Sequence, residues 1–124
     1  MPRWPTLGLG SVASALSARV DEAVTAMRRG SDHDVVRALL RLAAEPPTAV
    51  VEFLVDQLVE REPPRGGPGI PTGPRFPDDG TMAQVYELIH QGDGPGLMAL
   101  GGGTYDEMVA LLVASLAAVE VRPS

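Results

Sequence analysis

The sequence predicts an all-α protein: a small bundle of about five helices around a central apolar C-terminal helix, residues 105–121, with a Pro/Gly-rich strap over residues 63–80. Three observations predict it. Met108 to Val121 reads MVALLVASLAAVEV, with Ser115 and Glu120 its only polar residues and neither Gly nor Pro. Ala, Leu and Val in that mixture favour helix, and a helix apolar on nearly every side must be surrounded. Apolar residues elsewhere recur at spacings of three and four, the period of one helix face. Ser and Thr residues stand where helices would begin, with partners three residues on that suit a capping box. The apolar run is too short for a bilayer, which takes about 20 such residues.

The 124 residues suit a single helical domain over 1–124, divided as three helices in 11–62, the strap in 63–80 and a helix pair in 81–121. Hydrophobic residues make up 44% and aromatic ones 4%, so the core is aliphatic. There is no Cys, which removes disulfides, thiolate catalysis and Cys-based zinc sites. There is no Lys either, so no lysine Schiff base and no lysine-bearing phosphate loop. Missing Lys and Asn, beside abundant Arg, Ala, Gly and Pro, reads as the coding bias of a GC-rich bacterium, such as an actinobacterium, or its phage.

The first helix is expected from Ser11, as N-cap, to Arg29. Leu9, Val12, Leu16, Val20, Ala23 and Met27 form its apolar stripe, and Ala and Ser residues beside it allow close approach by another helix. Arg28 and Arg29 complement the last carbonyls, and Gly30 supplies a residue tolerant of positive φ. Arg3 followed by a mildly apolar run imitates a signal peptide, but Pro5, Gly8, Gly10 and several Ser interrupt it, so a cytoplasmic location is expected.

Ser31 caps a second helix, Asp32 to Ala44, with Asp32 and Asp34 in the first turn. Val35, Val36, Leu39, Leu40, Leu42 and Ala43 are expected to face inward, with Arg37 and Arg41 on the outer face. Pro46 and Pro47 end it and open a third helix to Glu60, burying Val51, Leu54, Val55, Leu58 and Val59. Helices two and three then make a short αα-hairpin. Glu52, Asp56 and Glu60 recur at every fourth position, an acidic stripe that is either a solvated face or a docking face for a basic partner.

In the strap, Pro68, Pro71, Pro74 and Pro77 repeat every third residue and would align on one edge of a polyproline II helix. A semi-extended linker is the simpler reading. A ligand strip for an aromatic groove is the functional one, weakened by the interleaved glycines. Thr81, with Gln84 three residues on, is expected to cap a helix burying Met82, Val85, Leu88 and Ile89 and ending near Gly92. Pro95 to Leu100 suits a helical turn with Leu97, Met98 and Leu100 as plugs. Thr104 and Glu107 then form the box that launches the central helix.

No catalytic, metal or cofactor-binding residues emerge. Gly101, Gly102, Gly103 and Thr104 resemble a phosphate loop, but Asp106 and Glu107 already occupy the positive end of the helix, and no strand precedes it. His33 and His90 lack a second histidine four residues away. Tyr86 and Tyr105 suit packing at the edge of the core. The function expected is a non-enzymatic interaction protein: a small acidic adaptor, regulator or assembly subunit that binds a protein partner, itself, or both. The docking residues expected are Glu52, Asp56, Glu60, Trp4 and the four prolines of the strap. The alternative is a DNA-binding regulator using Arg19, Arg28, Arg29, His33, Arg37 and Arg41 of the helices in 11–44. A net charge of −6 disfavours nucleic acid, because phosphate neutralisation supplies most of that affinity.

Overall fold

A computed structural model describes residues 9–61 and 76–120, with side chains from 15 to 61 and from 76 to 119. These residues form six helices and no strand. The helices are α1 (Leu9–Arg29), α2 (Asp32–Ala43), α3 (Pro47–Glu60), α4 (Asp79–Gln91), α5 (Gly94–Gly101) and α6 (Tyr105–Glu120). The count exceeds the expected five because the turn at Pro95 to Leu100 is an eight-residue helix, capped by the Asp93 carboxylate on the Gly96 N–H at 2.9 Å.

Helix α6 packs against α1, α2, α3 and α5, and α4 lies on α5. Leu112, Val113, Ser115, Leu116, Ala117 and Ala118 are all at most 1% exposed. The one polar member of that set is satisfied locally: Ser115 Oγ donates to the Leu111 carbonyl at 2.8 Å. The helix that the sequence requires to be surrounded is covered by its own chain. From Met108 to Val119 only Ala110 and Leu111 are more than 9% exposed, and both are still half-buried.

The first helix buries Leu16, Val20, Ala23, Val24, Ala26 and Met27, and Leu9 and Val12 lie outside the described side chains. It begins at Leu9, so Ser11 is inside the helix and is not its N-cap. Gly30 is not left-handed either. It is needed for space: a Cβ there would stand 2.9 Å from the Asp34 Cβ and 3.0 Å from the Ala26 carbonyl oxygen. The turn between α1 and α2 is tight for that reason. Ser31 caps α2 as the sequence predicts, accepting from the Asp34 N–H at 3.2 Å while its own N–H donates to the Asp34 carboxylate at 3.0 Å.

Two packing expectations fail. Helices α2 and α3 do not form a side-by-side hairpin: α2 lies mainly on α1, and α3 mainly on α6. On α3, Val50, Leu54 and Leu58 are fully buried, while Val51 and Val55 are half-buried and Val59 is 43% exposed. The inward face of α3 is thus the row at every fourth residue beginning with Val50. Tyr86, 7% exposed, ties α4 to the end of α3 by donating its hydroxyl to the Leu58 carbonyl at 3.0 Å. Tyr105 stands half-buried over the start of α3; burial and the nearby Asp106 carboxylate push its phenol above 10.0, so it stays protonated.

Helix α4 starts earlier than expected. Asp78, not Thr81, is its N-cap, accepting from the Thr81 N–H at 2.7 Å. That bond from the Thr81 backbone, with the Thr81 side chain, holds the Asp78 carboxyl below its ordinary 3.8. The Ser31 backbone and side chain lower Asp34 in the same way. A depressed folded pKa stabilises the fold fully above 3.8 and withdraws that support as pH falls through the lowered value. Asp78→Ala is expected to lower the melting temperature at neutral pH more than Thr81→Ala does. Asp78→Asn keeps a capping acceptor and should flatten the loss of stability on acidification. Urea melts from neutral pH to below 3 check both.

Candidate functional site

Helix α2 carries two surface features on different sides. Its buried residues are Ala38 and Leu42 alone, with Val35 and Leu39 half-buried. Val36 is 55% exposed, Leu40 is 68% exposed, and Ala43 is exposed one turn further on. The expectation that these three face inward is corrected. The buried centre of α2 is turned by roughly 100°, one residue's rotation, from the middle of its apolar arc. The opposite flank lies against α1. Arg41 reaches back to α1 and binds the Glu22 carboxylate at 2.6 Å, so the supposed outer face lies along α1. Small Ala26 and Ala38 let the two helices close at that point.

Val36 and Leu40, four residues apart, therefore form an apolar stripe on the outside, extended by Ala43. Sequence reasoning did not single them out as surface residues. One signal was available: the apolar positions of α2 span a wider arc than a twelve-residue helix lying mainly on one neighbour can bury.

The second feature is an open groove of about 300 Å³ between α1 and α2. Its walls include Glu22, Thr25 and Arg29 from α1 and Asp34, Arg37 and Arg41 from α2. One Arg37 nitrogen lies 3.0 Å from His33 Nε2, an arrangement in which a neutral ring accepts from the guanidinium. Arg29 has no hydrogen bond or ion pair among the described residues. The second Glu22 oxygen, Oε1, is buried without a hydrogen-bond partner. The Arg41–Glu22 pair is 47% and 36% exposed at its side chains, so its net contribution is at most about 1 kcal/mol.

The other sequence-derived candidates are scattered. Trp4, Pro68, Pro71 and Pro74 lie outside the described residues. Pro77 is half-buried just ahead of α4, beside Phe76, which packs against the core. Glu52 and Asp56 are half-buried on α3, and Glu60 is exposed with Arg61 at 3.8 Å. The stripe is thus not a uniformly solvated face, and a basic residue stands at its end. Of the arginines of the DNA-binding alternative, Arg29, Arg37 and Arg41 share the groove, while Arg28 and Arg19 do not line it. The glycine loop is closed on itself: the Glu107 carboxylate sits over Gly102, and Thr104 Oγ1 accepts from the Glu107 N–H at 3.2 Å. An anion approaching the start of α6 would meet that carboxylate first.

Among the described residues, no three His, Asp or Glu side chains gather as metal ligands would. No single described helix is long and apolar enough to cross a membrane. Helices α5 and α6 together have the length and composition, but they are bent by 87° at the glycine loop, and α6 is buried. Set against family models, curated proteins and solved structures, the chain has no match.

Proposed function

We propose that this chain is a non-enzymatic protein-interaction protein, a small acidic adaptor or assembly subunit, whose docking surface is the outer face of α2. The exposed pair Val36 and Leu40 carries the reading. Single exposed apolar residues are ordinary and need no explanation. Two large ones at i and i+4, with Ala43 on the next turn, make a stripe of the kind a helix presents to an apolar groove or to another helix. The rest of the molecule supports a surface role. Helix α6 is read as the centre of the bundle, rigid and covered, and it holds α1 and through it α2 as a platform. The acidic stripe of α3 is a secondary contact, suited to a basic rim on the partner. A cytoplasmic setting in a GC-rich bacterium or its phage fits the composition.

A photo-crosslinking residue at position 40, with exposed Ala83 as the control position, tests this reading. Discrete products are expected from position 40 and not from 83, and they should disappear on Val36→Asp. Light scattering of the purified chain then decides whether the mate is a second copy. A monomer giving no product from position 40 in native extract, or equal products from both positions, overturns the reading.

A further inference from the structure

The groove between α1 and α2 carries an inference independent of the docking face: the geometry points to a binding site for a small oxyanion of the phosphate class, held by Arg29 and Arg37. Residues 22, 25 and 29 share one face of α1, and residues 34, 37 and 41 share one face of α2, because each set is spaced by threes and fours. The tight turn at Gly30 sets the two faces opposite each other. Three guanidinium groups and two carboxylates line the result, a surplus of one positive charge in a chain whose net charge is −6.

Both carboxylates are already engaged. Glu22 binds Arg41 at 2.6 Å, and Asp34 accepts the Ser31 N–H at 3.0 Å within the cap of α2. Arg37 spends one nitrogen on His33 Nε2, and Arg29 has no partner among the described residues. A guanidinium offers five N–H donors in a planar fork, so most of the donor capacity of Arg29 and Arg37 is unspent in one recess. The Thr25 hydroxyl adds a neutral donor on the same wall. No carboxylate is within ion-pair distance of Arg29 or Arg37 among the described residues, and the unpartnered Glu22 Oε1 is buried. The matching ligand brings several oxygen acceptors and negative charge, which is the description of a phosphate group. A volume of about 300 Å³ is at the small end of ligand sites, right for a phosphate or a compact monoester. A nucleic-acid duplex fits less well, since the recess carries a surplus of only one positive charge in a chain of net charge −6.

Titration with inorganic phosphate and with phosphoserine, followed by arginine Nε–H and Gly30 amide shifts at low ionic strength, tests the site. Saturable shifts confined to Arg29, Arg37 and Gly30 are expected. Arg29→Gln and Arg37→Gln should each weaken the affinity about tenfold, the loss of a charge-assisted contact. Arg28→Gln, exposed and outside the groove, should leave it unchanged. All three variants alter exposed side chains, and circular dichroism confirms that each is folded. Tighter binding of phosphoserine identifies a phosphate ester as the natural ligand; equal or tighter binding of inorganic phosphate identifies the free ion. Unsaturable shifts, equal losses in all three variants, or retention of a DNA duplex that phosphate does not displace would overturn the site.

Discussion

Leu42→Ala is expected to cost about 2–5 kcal/mol of stability, while Leu40→Ala, two residues earlier on the same helix, should change it by no more than about 0.5 kcal/mol. The side chains are chemically identical, so helix propensity cancels and only position differs. Leu42 is 0% exposed and belongs to the hydrophobic core, and truncation leaves a cavity that tightly packed neighbours cannot fill. Leu40 is 68% exposed and has little packing to lose. Small domains have total stabilities of about 5–15 kcal/mol, so the first substitution alone removes a large share. Urea denaturation of the two variants under one set of conditions measures the contrast. Comparable losses at both positions would mean that α2 is turned the other way, with Leu40 inward, and would remove the docking face at the same time.

The second large effect belongs to the elbow between α5 and α6. Gly101→Ala would place a Cβ 2.9 Å from the Met108 Cα and 3.0 Å from its nitrogen, and backbone atoms cannot step aside as a flexible side chain does. Gly102→Ala meets the Glu107 carboxylate and, in addition, a φ of 140° that a side chain rarely accepts. Each is expected to cost about 1–3 kcal/mol, read from the thermal unfolding midpoint. Gly94→Ala, whose Cβ would meet nothing within 4 Å, is the control and should be close to neutral. The bend of 87° depends on these two glycines, and it is the bend that folds α5 back onto α6.

How much of this was legible in the sequence varied with the kind of signal. Local chemistry read well. The Ser31 cap and the breaks at Pro46 and Gly92 each depend on neighbours a few residues away and are found in place, while of the Thr104 box only the bond from the Glu107 N–H to the Thr104 hydroxyl is made. The inward faces of α1 and α6 also read well, because each has one dominant solution. Helix α2 did not, because its apolar arc is broader than its contact. The observed orientation brings Arg41 to Glu22, nineteen residues earlier, and sets two alanines where the helices approach closely. No periodicity within α2 encodes either. The start of α4 was misplaced because two acceptors compete within four residues, and Asp78 reaches the Thr81 N–H where Thr81 itself would have had to wait a turn. The arginine groove was invisible for a further reason. Its walls come from separate helices, and only the tight Gly30 turn sets Arg29 and Arg37 in one recess.

The tenancy of α6 has an evolutionary corollary. Between Leu112 and Ala118 the helix alternates leucine and valine with alanine and serine, all shut away from water. At Ala114, Ala117 and Ala118 almost every permitted codon change enlarges the side chain, and there is nowhere for the added atoms to go. A deep mutational library would therefore show this heptad nearly frozen while the outer side of α2 drifts freely, except where selection for a companion holds Val36 and Leu40 in place.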